Sequence, residues 1–126
     1  MAETIRFEGL SLPVSDVARS VEFYRLLGFK VEISHPMFAL LRLGEGTLGL
    51  LRQDLSGWAK EARENTHLEL STDHLDVLYE ELQARSIHFH EPPHDEPWER
   101  AMATYDPDGY TVEIAQGRRS HNAPGE

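Results

Sequence analysis

The first run with a clear period is Ile5 to Val14. Leu10 and Leu12 alternate with Gly9 and Ser11, the pattern of a strand with one apolar face. Pro13 suits the end or edge of such a strand, because it has no N–H to give to a ladder. Ser15-Asp16 then offers side-chain oxygens that cap a helix. Val17, Val21 and Tyr24 follow at helical spacing, Phe23 and Leu27 widen the stripe, and Gly28 stands where a helix stops. Phe29 to Ile33 resumes an extended pattern, which His35-Pro36 breaks. Met37 to Leu43 and Thr47 to Arg52 read as two more strands joined by Gly44-Glu45-Gly46.

The same order then repeats. Thr66 to Ser71 reads as a strand and Asp73 as a helix cap. Leu75, Leu78, Tyr79 and Leu82 sit at i, i+3, i+4 and i+7, an amphipathic helix. Ile87 to His90 is a short strand, and Pro92 to Pro97 reads as a loop. Trp98 to Tyr105 and Tyr110 to Ala115 form a hairpin around Asp106-Pro107-Asp108-Gly109, where Pro and Gly each fit a turn position. Asp73 lies 57 residues after Asp16, and Gly109 lies 63 after Gly46. The pattern predicts an α+β chain, one domain over 1–126, with βαβββ modules at 5–53 and 66–116. Residues 54–65 are expected to link them, with a short helix near Trp58 to Arg63, and 117–126 to form a polar tail. Neither module alone has strands enough for a convincing core. Two four-stranded sheets around a shared cup would meet that need.

Charge and composition remove several alternatives. The formal net charge is −10 and the pI about 5.1, which disfavours a nucleic-acid partner. The basic pair Arg118-Arg119 falls in the expected tail. No window approaches ~18 consecutive apolar residues, so no membrane span is expected. The opening residues lack the form of a secretory signal. The absence of cysteine excludes disulfides, thiolate metal sites and thiol nucleophiles. These points make the cytoplasm the expected location.

Three stretches carry a family resemblance. The first is Leu12-Pro-Val-Ser-Asp-Val-Ala-Arg-Ser-Val-Glu-Phe-Tyr-Arg-Leu-Leu-Gly-Phe29. The second is Asn65-Thr-His-Leu-Glu-Leu-Ser-Thr-Asp-His-Leu-Asp-Val-Leu-Tyr79. The third is Glu96-Pro-Trp-Glu-Arg-Ala-Met-Ala-Thr-Tyr-Asp-Pro-Asp-Gly-Tyr-Thr-Val-Glu-Ile114. In this order they resemble the glyoxalase, bleomycin-resistance and extradiol-dioxygenase superfamily, the vicinal oxygen chelate fold. The Glu-Pro-Trp segment with Arg100 is most similar to the bleomycin-resistance branch. That branch implies a homodimer that binds its small molecule without a catalytic metal.

The resemblance also implies where a metal would be held in the enzymes of the superfamily, on the first and last strand of each module. Those positions fall on Gly9 and Gly49 in the first module and on His67 and Glu113 in the second. The glycines offer no donor. Strand parity independently sets His67, Glu69 and Ser71 on one face, with Thr111, Glu113 and Ala115. His67 and Glu113 therefore stand as candidates for an organic ligand or for a divalent metal. His88, His90 and His94 form a weaker metal candidate. Trp98 lies among Asp95, Glu96 and Glu99, which suits a flat or cationic ligand. Phe7, Met37, Met102 and Trp58 are further candidates for contact with a ligand. No phosphate loop, GxGxxG or HExxH occurs.

The main expectation is a protein that sequesters an aromatic or cationic compound in a dimeric cup, without a complete metal site or other cofactor. The alternative is a divalent-metal lyase, isomerase or ring-cleaving dioxygenase. A third reading is an interaction domain whose cup is filled by Phe7, Met37 or Met102.

Overall fold

The computed structural model describes residues 2–117. The chain divides into two compact units, 1–57 and 58–126, each carrying one four-stranded sheet.

The first unit runs β1 (Gly9–Val14), α1 (Val17–Leu27), β2 (Lys30–His35), β3 (Phe38–Leu43) and β4 (Gly46–Arg52). Its sheet has the order β1-β4-β3-β2, with β1 parallel to β4 and the other pairs antiparallel. The Asp16 side chain accepts from the Arg19 N–H at 3.1 Å and starts α1. Gly28 ends it at φ 118°, a conformation that side chains other than glycine's avoid. Register places Leu12 beside Leu50, Leu50 beside Ala39, and Leu48 beside Leu41. These residues, with Val14, Val17 and Tyr24, are the buried core. Each fully buried leucine contributes about 2–3 kcal/mol through lost contact with water.

The strand expected from Ile5 starts only at Gly9. Thr47 near the start of β4 pairs with Gly9, so residues before Glu8 have no neighbouring strand in this unit. Ile5 and Phe7 are accordingly 98% and 88% exposed. Met37, expected within a strand, sits in the β2–β3 turn and is exposed.

The second unit repeats the plan after a short helix. It runs α2 (Lys60–Glu64), β5 (His67–Ser71), α3 (Leu75–Ala84), β6 (Phe89–Asp95), β7 (Glu99–Tyr105) and β8 (Thr111–Gly117). The sheet order is β5-β8-β7-β6, with β5 parallel to β8. Leu68, Leu75, Leu82, Phe89, Met102, Val112 and Ile114 form the core. The Asp106 carboxylate accepts from the Asp108 and Tyr110 N–H groups at 2.9 and 3.0 Å, which builds the tight turn before β8. Residues 58–65, expected as linker, are partly built into this unit. Trp58 packs edge-on against Tyr110 at 5.6 Å, and Arg63 donates to the carbonyls of Asp108 and Trp58.

Three local expectations are corrected here. Asp73 is not the helix cap: His74 holds that position and makes no capping side-chain bond. The Leu75 N–H instead donates to Gln116 Oε1 at 2.8 Å, so β8 caps α3 from a distance no local pattern reveals. Gln116→Ala is expected to cost about 1 kcal/mol in denaturant unfolding, with Asp73→Ala close to neutral. Secondly, Pro92 to Asp95 is strand, not loop. β6 is an edge strand with two register shifts against β7, which accommodates prolines without N–H groups. Thirdly, Gly117 pairs with Glu99 and belongs to β8; the rest of the expected tail, 118–126, lies outside the described residues.

Candidate functional site

Pairing in the second sheet determines which side chains meet. Glu69 on β5 lies opposite Glu113 on β8, Glu113 opposite Ala103 on β7, and Ala103 opposite Glu91 on β6. Residues directly opposite one another share a face, so three carboxylates stand in one row with a small alanine among them. The neighbouring row holds Ser71, Ala115, Ala101 and His94. Met102 pairs with Ile114 and is fully buried on the other face. It is core and lines no ligand surface, because β7 alternates and Ala101 and Ala103 take the carboxylate side.

Glu69, Glu96, Trp98, Glu99 and Glu113 line a cleft of about 550 Å³. Four of these five residues are carboxylates, and the fifth is an indole left 66% exposed. Trp98 stays exposed because it immediately precedes β7, beyond the last paired residue Glu99. Burial, then the nearby charges of Glu99 and Glu69, push the Glu113 carboxyl above the ordinary range, and His67 partly offsets this. Glu99, Glu69 and Glu91 crowd negative charge around this half-buried carboxyl, and a cation would relieve it.

At the rim, His94 bonds the Pro92 carbonyl through Nδ1 and the Glu96 carboxylate through Nε2, both at 2.9 Å. Both partners are acceptors, so the imidazolium satisfies them together. Its pKa is raised, first by the bond to Pro92 and then by Glu96.

His67 and Glu69 project from one face of β5 two residues apart, and Glu113 faces them from β8. Their ligating atoms lie within 4.8 Å of one another, the one such group of three among the described residues. Imidazole and carboxylate oxygens form a donor set suited to a divalent cation. The two first-module positions do not fit a metal. A Cβ on Gly9 would lie 1.8 Å from the Thr47 carbonyl oxygen. A Cβ on Gly49 would lie 2.5 Å from Ser11 Oγ. The second-module trio thus fits a cation, and Gly9 and Gly49 of the first module offer no donor and no room for one.

His88, His90 and His94 do not form a ligand group. His90 stacks on Tyr105 at 3.8 Å with 4° between the planes, while His94 is engaged with Glu96. Of the expected contacts, His67, Glu113 and Trp98 fall on or beside the cleft. Trp58 is spent on Tyr110, and Phe7 and Met37 lie in the first unit. The sequence showed Glu96 and Glu99 only as acidic neighbours of Trp98 and Glu69 only as sharing a strand face with His67, and it gave no sign of Glu91. Glu69 carried a signal, its i, i+2 spacing from His67. The role of Glu99 and Glu91 depends on strand register.

The family model described as Glyoxalase/Bleomycin resistance protein/Dioxygenase superfamily matches residues 6–114. A glyoxalase/bleomycin resistance protein/dioxygenase from Nocardioides is 26% identical, with TM-score 0.74, over 91% of this chain and 85% of that one. TnmS3, an antibiotic binding protein from Streptomyces sp. CB03234, is 24% identical, with TM-score 0.74, over 93% and 99%. The virulence protein STM3117 from Salmonella typhimurium is 24% identical, with TM-score 0.71, over 90% and 98%. The latter two are similar in fold. No curated protein matches the chain.

Proposed function

The chain belongs to the glyoxalase/bleomycin resistance protein/dioxygenase superfamily, and on that premise we propose that it binds and sequesters a flat, cationic small molecule as a homodimer. The observation that carries this reading is the cleft lined by Glu69, Glu96, Glu99 and Glu113 beside exposed Trp98. An aromatic cation gains twice there, by stacking on the indole and by neutralising carboxylates that repel one another. A neutral ring gains only the first. The likeness in fold to an antibiotic binding protein supports a binding role. No helix among the described residues is long and apolar enough to cross a membrane.

Calorimetric titration with acridinium and phenanthridinium dyes, against neutral isosteres of the same rings, tests the proposal. One cation is expected to bind per site, with Trp98→Ala weakening it about tenfold. Folded protein that ignores every cationic ring, or that takes neutral isosteres equally well, would overturn it.

The His67, Glu69 and Glu113 trio favours a second reading, a divalent-metal enzyme of lyase, isomerase or ring-cleaving type. A cation held there would supply polarisation of substrate oxygens. Stoichiometric metal in purified protein, absent from His67→Ala, would decide for that reading. No membrane or nucleic-acid partner is part of either proposal.

A further inference from the structure

We propose that residues 3–7 form an arm that lies along the open edge of β2 in a second copy of this chain. The inference rests on the dimer proposed above, not on the identity of the ligand. Ten large apolar side chains are exposed among the described residues, and seven belong to the first unit: Ile5, Phe7, Leu10, Val31, Ile33, Met37 and Leu43. That imbalance marks the first unit as the one with unfinished surface. Ile5 and Phe7 lie before β1, in a segment without a pairing strand. β2 is the outer strand of its sheet and exposed at every residue. Such an edge presents unpaired backbone groups to another chain.

The arm cannot reach this edge in its own copy. β1 and β2 lie at opposite edges of the sheet, three strand spacings or about 14 Å apart. The Glu8 carbonyl is held at the β1 side by the Thr47 N–H at 2.8 Å and the Thr47 hydroxyl at 3.0 Å. Ile5, three residues further out, spans only about 10 Å from there. A second copy has no such limit.

Charge selects the direction of pairing. Laid antiparallel with Arg6 opposite Glu32, the arm brings Glu3 opposite His35 and Glu8 opposite Lys30. Ile5 then meets Ile33, and Phe7 meets Val31. The register shift between Val31 and Ile33 turns these two toward different faces, so the Ile5–Ile33 contact is the principal one. Arg6 keeps Glu8 at 3.7 Å in the lone chain, and Glu32 keeps Arg42 at 2.6 Å; the arm extends that chain of charges.

The protein has no cysteine, so engineered thiols report cleanly. Ile5→Cys combined with Ile33→Cys is expected to give a covalent dimer under mild oxidation, while either single variant gives none. In native mass spectrometry and sedimentation, Ile5→Ala is expected to weaken the dimer about 100-fold, since the Ile5–Ile33 contact occurs twice per dimer. The far-UV circular dichroism of its monomer should match that of the wild-type monomer, because in the single chain the arm lies outside every strand and helix. A monomer at tens of micromolar (about the range a weak dimer needs) sinks the dimer and the arm together. A dimer indifferent to Ile5→Ala, or a disulfide closed within one chain, sinks the arm alone. Dye titration of the same samples reads the ligand proposal separately.

Discussion

Gly9→His is expected to destabilise the protein by about 2–5 kcal/mol and to gain no metal. The reason is local and severe. A Cβ at this position falls 1.8 Å from the Thr47 carbonyl oxygen and 2.7 Å from its carbon, and the backbone φ of 155° is one that L side chains rarely adopt. Both obstacles are backbone, so no rotamer relieves them. The first pair of the β1–β4 ladder, Gly9 with Thr47, has to open. Gly49→Ala gives the contrast. Its Cβ meets the Ser11 hydroxyl at 2.5 Å, and a side-chain tip can rotate away. Its cost should be smaller and should shrink further in combination with Ser11→Ala, which a double-mutant cycle in denaturant measures. If Gly9→His folded with wild-type stability, the close approach of β1 to β4 would be wrong. Restoring donors to the first module is thus not a matter of one substitution.

Glu113→Gln is expected to weaken binding of an acridinium dye by about 10- to 100-fold while raising the melting temperature at neutral pH. The two effects share one cause. Burial and the charges of Glu99 and Glu69 hold the Glu113 carboxyl above its ordinary pKa. The folded protein therefore holds this proton more tightly than the unfolded chain does. The associated stability is fully present below the ordinary carboxylate range and is lost as pH rises through the raised folded value. At neutral pH the ionised side chain is a liability that glutamine removes. At about pH 4, the ordinary carboxylate value, the gap between variant and wild type should narrow. Dye binding should weaken over the same acidic range, as Glu113 takes up its proton. Melting curves and titrations at both pH values check this. A variant less stable than wild type at neutral pH would mean that Glu113 is a structural partner instead.

The two modules were legible because their signals are local. Asp16 caps α1, Gly28 stops it, and Asp106 to Gly109 turn the last hairpin through contacts only a few residues apart. The alternation that set Glu113 opposite the core-facing Val112 and Ile114 also held, since a strand's period of two leaves little freedom. Met102 was misjudged because a strand of alternating apolar and small residues does not announce which side is core. In β7 both faces are buried, and only pairing with Ile114 resolves it. The loop expected at Pro92 to Pro97 failed for a related reason. Proline forbids a central strand but not an edge, and nothing in the sequence says which strand is the edge.

What the sequence determined alone was the order of elements, the family and the face on which His67 and Glu113 stand, because each follows from short-range periodicity and motif order. What only the tertiary structure decided was the company Glu113 keeps. Register across β5, β8, β7 and β6 brings Glu69, Glu91 and Glu99 to it from residues 14 to 44 positions away, and packs Gly9 against the Thr47 backbone. Those contacts depend on hydrogen bonding between strands distant in the chain, and a one-residue slip would send every side chain to the opposite face.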